Sequence, residues 1–431
     1  ELPDNPLRCT SMPNAVDGEG IWAASGVNAK NVAMTATETI TSNPRVLGAD
    51  PLVVYEPAKD GKEEKAGGIG EEDIVYIVLP YITSAREGVK RLGSLLETYG
   101  TYEMNGIAFQ DQNEIWWLET IGGHHWIARR VPDDVYVVMP NQFGMDEFDL
   151  EDAYGEQKGF MCSADLKEFV EKNHLNLSQD GSFRSHDDSD HVYNTPRAWY
   201  MLRTLNPQTF TWDGPDADYT PLSDDLPWCL IPEKKITVED VKYVLSSHYQ
   251  GTPYDPYLSY GDKSMKGAYR SIGVNRTDFL SVIQMRADHE DDSRAIEWVA
   301  FCSNAFNTLL PFYADVEKTP DYVANTDKNV STDNFYWTSR LIAAMADASY
   351  KSSLFHVERY QGHVMAKSHA LIAKYDAKLA QTADKAERLV IKHEANEAIA
   401  QMAKEEALAT LEKVLSELTN QMKNAYSRSD A

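Results

Sequence analysis

Short apolar runs separated by turn residues dominate the first 140 positions. The stretch "GIWAASGVNAKNVAMTATETI", residues 20–40, sets β-prone runs on either side of "VNAKN", whose Asn residues and neighbouring Gly favour a tight turn; it predicts a hairpin. Between residues 71 and 100, Ile82, Ala85, Val89, Leu92 and Leu96 recur at helical spacing, and Gly100 supplies a stop. The next run, "IAFQDQNEIWWLETIGGHHWIARRVPDDVYVVMPNQF", reads as three strands with turns at "QDQN" and "VPDD". A β-meander therefore occupies the centre of the chain.

Helical patterns return between about 160 and 205, around the polar loop "LSQDGSFRSHDDSDH". "NTPRAWYMLRTL" predicts a helix capped by Thr195 with Pro196 in its first position. "KKITVEDVKYVLSSHYQGTPYD" has the same logic, with Thr237 as cap and Gly251 as stop. Two further strand runs follow, "FLSVIQMR" and "AIEWVAFCS", and from about 336 the pattern is helical to the end. Leu371, Tyr375, Leu379, Leu389, Leu408, Leu411, Leu415 and Leu418 give this tail its apolar positions. It reads as long helices packed on the body, with a partner-binding coiled coil as the alternative. Two clusters of strands with helices between and after them describe an α+β protein, not a βαβ repeat. The pattern divides into a body over residues 1–335 and a helical region over 336–431.

Charge narrows the partners. Lys and Arg number 41 against 67 Asp and Glu, a net −26, and no basic face is visible, which argues against nucleic acid. With 42% hydrophobic residues the chain can bury a large core, and no run of about 18 apolar residues is present to span a membrane. Cys9, Cys162, Cys229 and Cys302 lie far apart without a CxxC, so neither a zinc knuckle nor a dense disulfide framework is suggested. GxGxxG, GxxxxGK[ST] and HExxH are all absent, and no cofactor or metal is indicated. The opening "ELPDNPLRCTSMPN" carries neither Met nor an apolar targeting segment, and reads as the interior of a longer protein or a processed product.

The segment "ETIGGHHWIARR" poses the sharpest local question. Adjacent His124 and His125 on a strand would point to opposite faces, so they form no metal site alone; one buried imidazole and one near a surface or cleft is the plain expectation, with a substrate contact as the functional one. Gly122 and Gly123 suggest a bulge or a close backbone approach. His248, at a predicted helix end, reads as a core or capping residue before a catalytic one.

Several long segments, "GVNAKNVAMTATETI", "GTYEMNGIAFQDQNEIWWLETIGGHHWIARRVPDD", "YNTPRAWY", "SSHYQGTPYDPY" and "IGVNRTDFLSVIQMR", occur in order over residues 1 to about 360. Together they resemble the C69 peptidases, the dipeptidase A family of lactic acid bacteria, with secernins as distant relatives. The resemblance implies an N-terminal nucleophile hydrolase: a four-layer αββα sandwich, here with a C-terminal helical extension, that cleaves dipeptides with a free amino end. The hairpin at 20–40 and the strands at 105–140 would belong to its two packed sheets. It also implies a cysteine nucleophile at the mature N-terminus, in a segment that precedes this chain, so the 431 residues alone would be inactive. Cys9, in "CT", is weighed as that nucleophile and set aside as a loop or buried thiol, because the segment after it resembles a region downstream of the family's nucleophile.

By similarity to related bile salt and penicillin acylases, the resemblance assigns Asn141 in "VYVVMPNQF" to the oxyanion or the substrate amide, and Arg197 in "NTPRAWY" to the thiol or the substrate carboxylate. Glu38, where those enzymes place an asparagine, is assigned to the ammonium of a dipeptide; Glu119 and His125 are further substrate-binding candidates. The alternatives are a secernin-like scaffold without catalysis and an acylase on a non-peptide amide. A dipeptide or short peptide is the expected partner, self-assembly is left open, and the family resemblance favours a cytoplasmic location while leaving export open.

Overall fold

The computed structural model describes residues 2–16, 18, 20–35, 38–40, 43–175 and 190–424, with Glu38 described by its backbone alone. Most of the polar loop expected over 177–191 lies outside the described residues. The chain forms two compact units, Glu1–Ile236 and Thr237–Ala431. The expected boundary at 335/336 falls inside the second.

The first unit is built on one antiparallel sheet. Its strands are β1 (Cys9–Ser11), β2 (Ser25–Asn28), β3 (Ala33–Thr35), β4 (Glu38–Thr39), β5 (Asn105–Gln110), β6 (Ile115–Thr120) and β7 (Trp126–Val131), and, after the short β8 (Tyr136–Val137), β9 (Phe160–Cys162). The order is β1-β2-β3-β5-β6-β7-β9, with β4 also paired to β5, while β8 pairs with β10 (Cys229–Leu230) in a separate ladder. The predicted hairpin is β2–β3. Its turn is stabilised by Asn28, whose Oδ1 accepts from the backbone N–H of Lys30 (2.9 Å) and Val32 (3.1 Å), and by Asn31 in a left-handed conformation (φ 57°). The hairpin thus shares a single sheet with β5, β6 and β7, while the last run of the 105–140 stretch contributes β8 to the separate ladder with β10. This is an α+β fold with antiparallel sheets.

Both faces of the sheet are covered, which explains the nearly unbroken apolar run "IWWLETI". Side chains alternate: Ile107, Phe109, Trp116, Leu118 and Ala128 pack with α2 (Glu71–Val78) and α3 (Ala85–Tyr99), which follow the short α1 (Pro44–Ala49). Ala108, Trp117, Ile121 and Ile127 face the other way, against Phe143, Met145, Leu166, Phe169 and Trp228. The helical spacing read over 82–96 is the buried face of α3, which Ser84 caps and Gly100 ends at φ 69°. Three short helices, α4 (Leu150–Tyr154), α5 (Leu166–Lys172) and α6 (Asp190–Tyr193), precede α7 (Thr195–Leu205). Asn194, not Thr195, occupies the N-cap of α7.

The sequence reading took "IWWLETIGGHHWIARR" as one strand, and the structure corrects it. Thr120 pairs with Trp126, so β6 and β7 are antiparallel neighbours and "IGGHH" is the turn between them. Because the turn is not extended, the two imidazoles do not diverge: Nδ1 of His124 (2.9 Å) and of His125 (2.7 Å) both meet the carboxylate of Asp50. The backbone N–H groups of His124 (2.7 Å) and His125 (3.0 Å) donate to the same group. The glycines are explained by close approach, since a Cβ on Gly122 would lie 2.4 Å from Asp50 Oδ2 and one on Gly123 2.1 Å from Pro51 O.

In the second unit Thr237 forms a capping box with Asp240 and starts α8 (Val238–Leu245), which ends at Ser246, before the expected Gly251. Strands β11 (Phe279–Met285) and β12 (Ala295–Phe301) are the two predicted runs, and β13 (Leu310–Tyr313) completes an antiparallel three-stranded sheet. The tail forms α9 (Phe335–Ala348), α10 (Tyr350–Leu379) and α11 (Lys385–Thr419). Polar clamps attach α10 and α11 to this sheet and its loops. Arg286 meets Asp376 at 2.6 and 3.1 Å, Arg388 meets Asp292 at 2.5 and 2.9 Å, and Asn396 bonds both backbone groups of Tyr313, covering the edge of β13. Among the described residues no helix is long and apolar enough to cross a membrane.

Burial alone would raise the pKa of Asp50, but the hydrogen bonds from His125 and His124 outweigh it and hold the carboxyl well below the usual carboxylate range. A depressed folded value means that Asp50 stabilises the fold in full above the unfolded value of about 4 and loses that contribution as the pH falls below it. Thermal melts of the parent and Asp50→Asn should therefore differ most near neutrality, with the gap narrowing steadily below about pH 4. A gap independent of pH would show that the ionised carboxylate is not what the turn needs.

Candidate functional site

Three of the predicted site residues are brought into one bonded region of the first unit. Glu119 lies on β6, on the face shared with Trp117 and Ile121, and is 1% exposed. Its Oε1 accepts from Trp117 Nε1 (3.1 Å) and from the backbone N–H of Gly144 (3.0 Å) and Met145 (3.4 Å). Three residues upstream of Gly144 stands Asn141. Glu119 therefore holds the segment that carries Asn141.

Arg129 secures the same segment further along. Its guanidinium meets Asp146 at 2.6 Å and Glu147 at 3.0 Å and lies 4.5 Å above the Trp228 ring. Asp146 in turn accepts from Trp228 N (3.2 Å), and Trp228 Nε1 reaches Met139 Sδ (3.0 Å). The residues on either side of Asn141 are thus fixed to the sheet and to the β10 region.

Arg197 reaches Asn141 from the first turn of α7. It is 8% exposed; its Nε donates to Tyr193 O (2.5 Å), and its Nη2 donates to Asn141 Oδ1 (2.7 Å) and Asn194 Oδ1 (2.5 Å). A guanidinium has donors only, so the atom of Asn141 that faces it must be the carbonyl oxygen. The amide is thereby oriented with Nδ2 away from Arg197. Asn141 is half-buried, and its Nδ2 has no partner among the described residues. The arrangement presents one N–H donor group beside a buried cation, which is what a developing oxyanion or an amide carbonyl requires.

Glu38 is placed by backbone register alone: it pairs with Gly106 of β5, which pairs with Glu119 of β6. His125 is held between Asp50 and Phe169, on which its ring stacks at 3.8 Å, and its Nε2 lies 3.2 Å from Asp165 without hydrogen-bond geometry. His248 belongs to the second unit, where Nδ1 meets Asp255 at 2.9 Å and the ring stands edge-on to Tyr257 and Tyr350. Among the described residues no group of three or more His, Cys, Asp or Glu could hold a metal ion.

None of the four thiols is set up as a thiolate. Burial pushes Cys9 and Cys302 up to about 12 and Cys162 up to about 11, and raises Cys229. Cys9 packs on the apolar core beneath the sheet and donates to Leu7 O (3.4 Å). Sequence reasoning missed Asp190 and Asn194, which support Arg197, and Asp50, which holds the turn. The asparagine preceding Thr195-Pro196 was a visible N-cap candidate, whereas nothing near Asp50 signals its contacts 74 and 75 residues away.

Residues 1–363 match peptidase family C69. The chain is 59% identical over 388 residues to a protein of Bifidobacterium longum (strain NCC 2705) named dipeptidase, covering 88% of this chain and 73% of that one. It is 50% identical over 437 residues to the probable dipeptidase A of Streptococcus pyogenes serotype M18 (strain MGAS8232), covering 100% of this chain and 86% of the relative. Dipeptidase A of Lactobacillus helveticus is 43% identical over 356 residues, covering 81% and 70%.

Glu119→Ala would leave the N–H groups of Gly144 and Met145 without their buried acceptor, and should lower unfolding free energy by about 2 kcal/mol or more. Glu119→Gln keeps an acceptor oxygen and should lose less. Urea denaturation measures both, and equal losses would detach the effect from these bonds.

Proposed function

The chain belongs to peptidase family C69, and from that premise we propose that it is the body of a cysteine-type dipeptidase of the N-terminal nucleophile class. The observation that carries this reading is the bond from Arg197 Nη2 to Asn141 Oδ1, which turns the Asn141 amide so that its N–H group is free to donate. The relatives' names, dipeptidase and probable dipeptidase A, support dipeptides as the substrate class. The reading carries the four-layer αββα sandwich of that class with it.

In this chemistry a thiolate attacks the amide carbon, and the α-amino group of the same cysteine takes the proton and delivers it to the leaving amine. Asn141 Nδ2 donates to the tetrahedral oxyanion, and the Arg197 charge behind it strengthens that donation. Glu38, in register with Gly106 and Glu119, takes the substrate ammonium. The nucleophile is a cysteine outside these 431 residues. Support for that comes from the four thiols present, whose burial favours the protonated, unreactive form.

In the complete enzyme Asn141→Ala should reduce kcat on a dipeptide by roughly 10²–10³-fold, the effect of removing one oxyanion donor, with little change in melting temperature. Turnover near the parental value would sink the assignment. Replacing Cys9, Cys162, Cys229 and Cys302 one at a time by Ala should leave dipeptide hydrolysis in place; its loss with any one of them would move the nucleophile into this chain. N-acetylation of the dipeptide should abolish cleavage, because it removes the ammonium that Glu38 is assigned to bind, and equal cleavage of blocked and free dipeptides would remove Glu38 from the site.

A further inference from the structure

The start of α7 uses an asparagine against its ordinary role. An N-cap asparagine usually accepts a hydrogen bond from an N–H two or three residues on. Asn194 stands at the N-cap and makes no such bond. It is 6% exposed, and both ends of its amide are committed sideways: Oδ1 accepts from Arg197 Nη2 (2.5 Å) and Nδ2 donates to Asp190 Oδ1 (2.5 Å). The ends cannot be exchanged, because a guanidinium only donates: the carbonyl oxygen must face Arg197, which leaves Nδ2 for Asp190. Asp190 is itself 3% exposed. A bonded relay therefore runs from Asp190 through Asn194 and Arg197 to Asn141.

The geometry points to Asn194 as a positioning residue that sets how Arg197 Nη2 is shared, and through it the orientation of the Asn141 amide; this rests on the reading of Asn141 as the oxyanion donor. Nη2 serves two amide oxygens, those of Asn141 and Asn194. Nη2 carries two N–H groups, and two neutral acceptors of the same kind can take one each without either pulling the guanidinium out of line. An aspartate at 194 would cap a helix as well as an asparagine. However, its charge-assisted bond to the guanidinium would be about twice as strong as a neutral one, and it would draw Nη2 away from Asn141. Asp190, four residues upstream, instead bonds the spacer amide and holds it in place. A buried, doubly committed asparagine is the residue type that meets both conditions.

The test measures kcat and KM of the complete enzyme on a dipeptide. Asn194→Ala should lower kcat on the order of 10²-fold, the scale of a misplaced catalytic group, while KM stays within about a factor of two. In an Arg197→Lys background the same change should cause almost no further loss, because Asn194 acts through the arginine. The exchange Asp190→Asn with Asn194→Asp keeps charge and volume and guards against a fold defect in the alanine variant. It should melt close to the parent and still lose kcat. Parental kcat in Asn194→Ala or in the exchanged pair, or a full additive loss in the Arg197→Lys background, overturns the relay while the Asn141 reading stands on its own variant. Parental kcat in Asn141→Ala overturns both.

Discussion

Donors that a fold takes out of water need protein acceptors. Two carboxylates meet that need in the first unit. Among the described residues Asp50 accepts four bonds from the β6–β7 turn, and Glu119 accepts from Trp117 and from two backbone N–H groups of the segment that follows Asn141. Each is a buried carboxyl group held by hydrogen bonds, the condition under which a polar group is tolerated in an apolar setting. The positions of the turn and of the Asn141 segment follow from these two groups.

This constraint also separates what could be read in the residues from what could not. Period-two and helical patterns report burial, so the hairpin, α3 and strands β11 and β12 were legible from apolar spacing. The same patterns failed at "LETIGGHHWIARR", because a sheet buried on both faces has no polar face whose phase would mark the reversal. The adjacency argument for His124 and His125 then failed with it, since it assumed an extended backbone. The end of α8 was placed too late because Ser246 stops it before any glycine does.

The candidate site residues were singled out in a different way. Asn141 and Arg197 are 56 residues apart, on a loop and a helix, and no local pattern ties them together. Only the resemblance to a family singled both out. Of the supporting residues, Asn194 shows only as a helix-cap candidate and Asp190 and Arg129 carry no signal, since their chemistry lies in contacts made by the fold.

An arginine on the first turn of a helix has a common alternative role as a surface ion pair, and the geometry here distinguishes the two. A surface pair is exposed, and is worth little because water competes for both partners. Arg197 is buried and donates to a backbone carbonyl and two amide oxygens, one of them fixed from behind by Asp190. Desolvating a guanidinium is costly, and stability alone would be served as well by an apolar side chain of similar volume. What the cation contributes in return is direction. It makes the Asn141 carbonyl the only end that can face Arg197, and so turns the N–H group away from it. A donor already oriented before substrate arrives needs no reorganisation when charge develops, which is the physical basis on which such groups stabilise a transition state more than a bound substrate.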